Sequence, residues 1–146
     1  MSADGPGELH LIDGNLDAAQ YVTILEDVLL PSIRERFPHN DTITIVQDRS
    51  PIHKSHVVRR WLDQVPDIVP LPWPPCGADM NPIENLWAEM VRDWEAVRGG
   101  PHAIFHQALR RWDDLKRSPD FCESCVTSMP RRLQKVIDVD GNWSGY

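Results

Sequence analysis

Hydrophobic and polar positions change period several times along this chain, and each change marks an element. Glu8 to Ile12 alternates weakly between Gly5-Pro6-Gly7 and Asp13-Gly14-Asn15, and reads as a short edge or hairpin strand. From Asp17 to Phe37 the apolar residues Ala18, Tyr21, Val22, Leu25, Val28, Leu29, Ile33 and Phe37 recur at helical spacing, which predicts an amphipathic helix kinked or divided at Pro31. Thr42-Ile43-Thr44-Ile45-Val46 is β-branched throughout and favours a strand, ended by Asp48-Arg49-Ser50-Pro51. Val57, Val58, Trp61 and Leu62 share a face of a second helix, and Ile68-Val69-Pro70-Leu71 forms a short strand that runs into a proline-rich loop. Strand, helix, strand, helix, strand implies parallel pairing with helical crossovers, hence an α/β fold in which a mixed sheet is flanked by helices. A third helix is expected from Pro82 to Val97 with Ile83, Leu86, Trp87, Met90, Val91 and Trp94 as its stripe. Two further helical stretches follow, His102 to Lys116 and Phe121 to Val136, before a loose tail from Asp140 to Tyr146.

Composition narrows the class without changing this outline. The 146 residues suit one core, and 41% hydrophobic with 25% charged residues is ordinary globular usage. The formal charge of −7 repels a polyphosphate backbone at long range. Three cysteines, an odd number, argue against a disulfide framework. No apolar run reaches membrane-spanning length and the N-terminus lacks the blocks of a signal peptide, so the expectation is a soluble, intracellular protein with no membrane partner. The 13 prolines concentrate between Pro66 and Pro82, which points to an ordered, turn-rich loop.

Two carboxylates are placed where chemistry is possible. Asp48 stands where a β-branched strand runs out, and open α/β sheets put their sites at the carboxyl ends of strands. The pattern Asp-x-x-Pro-x-His that starts there brings His53 near the same edge, on the first turn of the next helix. The plain alternative for Asp48 is a turn residue bonding its own backbone two residues on. In Asn81-Pro82-Ile83-Glu84, Asn suits a helix N-cap, Pro the first helical position and Glu the third, so a capping box with Glu84 reaching back to the Asn81 amide is one reading. The other places Glu84 opposite a divalent cation shared with Asp48.

The text around both acids carries a family signature. Val46-Gln47-Asp48-Arg49-Ser50-Pro51-Ile52-His53-Lys54-Ser55 resembles the Q-D-N-A-P-x-H-x-S block of the mariner superfamily of DDE transposases, and Leu71 to Trp87 resembles its W-P-x-x-S-P-D-L-N-P-I-E-N-L-W block. Gly14-Asn15-Leu16, Tyr21, Ile24-Leu25 and Ser128-Met129-Pro130-Arg131-Arg132-Leu133 extend the likeness over nearly the whole chain, closest to the worm-type branch. Within the blocks, Arg49 replaces the usual Asn, Ser50 the usual Ala, and Gly77-Ala78 the usual Ser-Pro.

The resemblance implies an RNase H-like fold in which acids hold Mg²⁺ or Mn²⁺ for cleavage and strand transfer of DNA in cut-and-paste transposition. By motif position Asp48 and Glu84 are the second and third acids, both catalytic and metal-binding, with His53 and Asn81 in support. The family's first acid precedes the segment matching Gly7 to Gly14, so the chain is expected to lack it, along with the helix-turn-helix domains that read transposon ends. Residues 1–100 are then a partial catalytic domain without its first strands, and 101–146 a helical extension of that domain. The implied partner is transposon-end DNA and the implied location nuclear, with the chain inactive alone. A rival class is a non-catalytic relic or domesticated module that acts through protein association, since an uncovered sheet edge favours a homo-oligomer.

The other features have plainer readings. Cys122-Glu123-Ser124-Cys125 has a zinc-like gap without a second pair, and reads as two partly buried thiols on one helix face. Trp61, Trp87, Trp94 and Trp112 read as packing residues, Trp73 as packing the proline-rich loop onto the sheet, and Arg59-Arg60, Arg110-Arg111 and Arg131-Arg132 as solvated doublets.

Overall fold

A computed structural model describes residues 1–75, 77–92, 94 and 99–141, which pack as two units, one formed by His10–Gly77 and the other by Met1–Leu9 with the segment from Ala78 onward.

In the first unit the helix expected from Asp17 starts with a complete capping box. The Asp17 carboxylate accepts the Ala19 and Gln20 amides at 2.8 Å each, and the Gln20 side chain accepts the Asp17 amide at 3.1 Å. Helix α1 (Ala18–Ile24) passes through a π turn (Leu25–Leu29) into α2 (Leu30–Arg36). The Leu30 amide donates to the Leu25 carbonyl, one residue further back than in an α-helix. Proline at 31 has no amide to give and would crowd the carbonyl four residues earlier, and the widened turn just before it relieves that conflict. The expected division is therefore real, and the chain stays helical across it.

Strands β1 (Ile43–Ile45) and β2 (Ile68–Pro70) pair in parallel, with Ile43 beside Ile68 and Ile45 beside Pro70. Flanking amides complete the ladder, Ile43 donating to Asp67 and Leu71 to Ile45 at 2.8 Å each. The crossover is α3 (His56–Gln64), begun by the Ser55 hydroxyl, which accepts the Val58 amide. It packs on α1, where Leu25, Val58 and Trp61 form a core flanked by Tyr21 and Leu62. Val57, expected on that face, is 47% exposed, because a helix turns it about 100° away from Val58.

The second unit holds α4 (Pro82–Met90), α5 (Gly100–Lys116), α6 (Pro119–Thr127) and α7 (Met129–Asp138) around Leu86, Trp112, Leu115 and Cys122. The strand expected at Glu8–Ile12 does not form; the segment has no ladder partner among the described residues. The Trp112 indole instead donates to the Gly7 carbonyl at 2.9 Å, Lys116 pairs with Glu8 at 3.0 Å, and Leu9 packs on the core. Helix α4 also stops short of Val97, which lies outside the described residues. Val91, at φ −95° and ψ 0°, leaves the helix, so neither it nor Trp94 continues the stripe. The stretch expected from Phe121 to Val136 is two helices meeting at Ser128, because Pro130 has no amide to extend the ladder to Val126. No helix among the described residues is long and apolar enough to cross a membrane.

Leu86 is fully buried, whereas Ile137 is 66% exposed. Leu86→Ala is therefore expected to lower unfolding free energy by about 2–5 kcal/mol and Ile137→Ala to change it by no more than about 0.5 kcal/mol, as measured by denaturant unfolding.

Candidate active site

Beyond β1 the chain enters the loop that carries Asp48. Its Oδ1 accepts the Ser50 amide at 3.0 Å, so the turn reading of this residue is realised. The same oxygen meets His53 Nδ1 at 2.7 Å, so the carboxylate does more than shape a turn. Helix α3 begins at His56, which leaves His53 in the preceding turn rather than on the helix as expected. The imidazole is the shielded partner, with 21% of its side chain exposed against 58% for Asp48. Arg49 forms no ion pair with Asp48 among the described residues.

Tyr21 reaches this loop from α1. Its ring lies 4.6 Å from the His53 ring, and its hydroxyl accepts the Gln47 side-chain amide at 2.6 Å. Burial pushes the phenol above its ordinary value and the Asp48 charge adds to that rise, while the Gln47 bond opposes it. Beside the loop lies an open cleft of ≈ 480 Å³ whose lining includes Asp48, Arg49, Lys54, Arg59, His53 and Trp73. Three permanent cations thus face one carboxylate, the reverse of the chain's net balance. The Trp73 indole donates to the Gly77 carbonyl at 2.9 Å, a bond that closes the proline-rich loop on itself.

In the other unit, Asn81 caps α4, its Oδ1 accepting the Ile83 amide at 3.4 Å. The reciprocal half of the box is missing. The Asn81 amide donates to the Ala78 carbonyl at 2.9 Å, so Glu84 has no cap donor to reach back for. Its exposed side chain, in the first turn of α4, carries no hydrogen bond or ion pair among the described residues. Next to it, Asn85 Oδ1 accepts from the buried Arg132 at 2.7 Å, which ties α4 to α7.

The structure thus joins Asp48 with His53 in one unit and Asn81 with Glu84 in the other. Cys122 and Cys125 are buried thiols on α6, in no disulfide among the described residues, and burial raises the Cys125 pKa, which suits inert packing. No group of three or more His, Cys, Asp or Glu side chains suited to a metal occurs among the described residues. Sequence reasoning missed Tyr21, Gln47 and Arg59 as neighbours of the site. Tyr21 sits on an apolar stripe, and only its polar tip hinted at a second role. Arg59 was legible only as half of a doublet, although helix geometry turns adjacent residues to different faces.

A two-stranded parallel sheet with a helical crossover, helices around it and a carboxylate just beyond a strand end is an α/β arrangement, and the structural likeness reported below places it in the RNase H-like class. Residues 1–100 match the family described as DDE superfamily endonuclease, and the chain belongs to that family. It is 33% identical over 141 residues to the Tc1 transposase of Caenorhabditis elegans, covering 96% of this chain and 50% of that protein. The Tcb1 transposase of Caenorhabditis briggsae is 32% identical, with the same coverage. The chain spans about half the length of the curated relatives it matches. The catalytic domain of Mos1 mariner transposase shares the fold, with a TM-score of 0.83 at 21% identity over 97% of this chain and 71% of that one, and it has also been solved with Mg and with Mn.

The two caps differ in a measurable way. Asp17→Ala and Gln20→Ala, which break one reciprocal box, are expected to be non-additive in unfolding free energy, whereas Asn81→Ala and Glu84→Gln should add within about 0.5 kcal/mol. Because the folded protein holds the Tyr21 proton more tightly than the unfolded chain does, the stability this contributes is present below about pH 10 and lost as pH rises through the folded value. Tyr21→Phe is expected to flatten that alkaline loss in pH-dependent denaturation curves.

Proposed function

We propose that this chain carries the second and third acids of a DDE strand-transfer site, with Asp48 and Glu84 as ligands of Mg²⁺ or Mn²⁺ and transposon-end DNA as the substrate. The observation that carries the reading is the Glu84 carboxylate, left without a capping partner at the start of α4. Asp48 offers the matching donor chemistry. Its Oδ1 is occupied by Ser50 and His53 while Oδ2 has no hydrogen-bond partner among the described residues, and hard divalent cations favour such carboxylate oxygens. A bound divalent ion activates an attacking oxygen and stabilises the leaving one in phosphodiester chemistry. His53 holds the Asp48 carboxylate in one direction, and Asn81 fixes the first turn from which Glu84 projects. Arg49, Lys54 and Arg59 meet the phosphate backbone, so local positive charge offsets the repulsion expected from the chain's net charge of −7.

In this reading residues 1–100 are the partial catalytic domain and 101–146 its helical extension, working in the nucleus. Asp48 and Glu84 by themselves hold a pair of metal ions poorly, so in this reading the chain alone does not turn over. A second reading, association with another copy through exposed apolar surface, is favoured by Leu133 and Ile137 on α7, 49% and 66% exposed; sedimentation as a stable, monodisperse monomer removes it.

Isothermal titration with Mn²⁺ tests the first reading. Asp48→Asn and Glu84→Gln are each expected to weaken binding at least tenfold, since even outer partners of metal ligands cost roughly 10–100-fold. Equal affinity in all three proteins overturns the assignment. Supercoiled plasmid should stay intact with the chain and Mn²⁺, and nicking abolished by Asp48→Ala would show instead that the chain is active by itself.

A further inference from the structure

The loop that carries Asp48 is held at both ends by one residue that neither acid block contains. Tyr21 belongs to α1, 27 positions before Asp48. Its side chain packs against the core of Leu25, Val58 and Trp61, which anchors it independently of the loop. From that base the hydroxyl takes the Gln47 side-chain amide at 2.6 Å, just before Asp48. The ring centre lies 4.6 Å from that of the His53 imidazole with 36° between the planes, and His53 Nδ1 lies 2.7 Å from Asp48 Oδ1.

We propose that Tyr21 is a positioning residue for the Asp48 carboxylate, acting through its hydroxyl on Gln47 and through its ring on His53. Asp48 itself is more than half exposed and sits in a turn, so backbone packing alone does little to fix its side chain. An imidazole bonded to one carboxylate oxygen sets its direction, but only if the imidazole is itself held, and the tyrosine ring is what holds it. Such outer partners commonly orient ligands at metal sites. The relevance to metal binding rests on the reading of Asp48 as a ligand; the positioning itself does not.

The test uses the full chain with Tyr21→Phe, Gln47→Leu, the double variant, Tyr21→Leu and Asp48→Asn. Two quantities are read: the ¹⁵N resonances of the His53 ring at mildly alkaline pH, and Mn²⁺ affinity by electron paramagnetic resonance. Tyr21→Phe and Gln47→Leu remove the same bond from its two ends. Each should shift the His53 resonances and weaken Mn²⁺ binding about fivefold, the worth of one neutral hydrogen bond, and the double variant should do no more than either alone. Tyr21→Leu, which also removes the ring, should release His53 to the tautomer mixture of a solvated imidazole, as should Asp48→Asn. If Tyr21→Leu does not fold, the Tyr21→Phe and Gln47→Leu pair decides. Wild-type His53 resonances in Tyr21→Phe and Gln47→Leu overturn the proposal, as does an additive double variant. If Asp48→Asn leaves Mn²⁺ affinity unchanged, the metal reading of Asp48 fails, while the His53 resonances still decide the role of Tyr21.

Discussion

Parallel pairing of β1 with β2 is the constraint from which the candidate site follows. Two strands running the same way open their carboxyl ends at one edge, so the Asp48 loop and the proline-rich loop emerge as neighbours and bound a cleft. The pair is only three residues long, and the amides of Ile43 and Leu71 extend it by a hydrogen bond at each end. A parallel pair needs a crossover, and α3 supplies it by burying Val58 and Trp61 on α1. That packing brings Tyr21 beside the Asp48 loop. Core, sheet edge and acid are consequences of one another.

The capping motifs show how one pattern reaches two outcomes. Asp17 and Gln20 close a full box because nothing else claims the Asp17 amide. Asn81 stands in the same relation to Glu84, yet its amide is already given to Ala78, so an acid that would serve structure is left unengaged. Local competition for a single donor decides the matter. Charge behaves similarly. A net −7 describes the far field, but within a Debye length of about 8 Å the cleft is governed by Arg49, Lys54 and Arg59.

Periodicity made the long helix, the parallel pair and the crossover legible, because burial of one face fixes spacing. It failed where side chains replaced a ladder. Glu8 to Ile12 alternates like a strand, but Trp112 and Lys116, more than a hundred residues away, hold its start without a partner strand. It also failed at helix ends, where Val91 and Trp94 kept the helical spacing after the backbone had left the helix. At the site, Asp48 and His53 were legible as neighbours from their five-residue spacing and turn chemistry. The Tyr21 contacts were not, since they depend on how α1 packs.

Three of the departures from the family blocks, at Ser50, Gly77 and Ala78, fall at positions the fold uses through its backbone. Ser50 stands where Ala is usual, but what Asp48 takes from it is the main-chain amide. Ala78 stands where Pro is usual, and its contribution is a carbonyl, which both residues possess. Gly77 stands where Ser is usual; a Cβ there would lie 3.0 Å from the Trp73 indole nitrogen, so glycine lets that ring sit close while the carbonyl accepts its N–H. Arg49, in place of Asn, stays exposed and lines the cleft, while His53 and the Ser50 amide occupy the near oxygen of Asp48. A basic neighbour that joins the cleft without pairing with the acid adds attraction for an anion and leaves the acid's other oxygen open, so arginine at this position is compatible with the chemistry proposed for this loop.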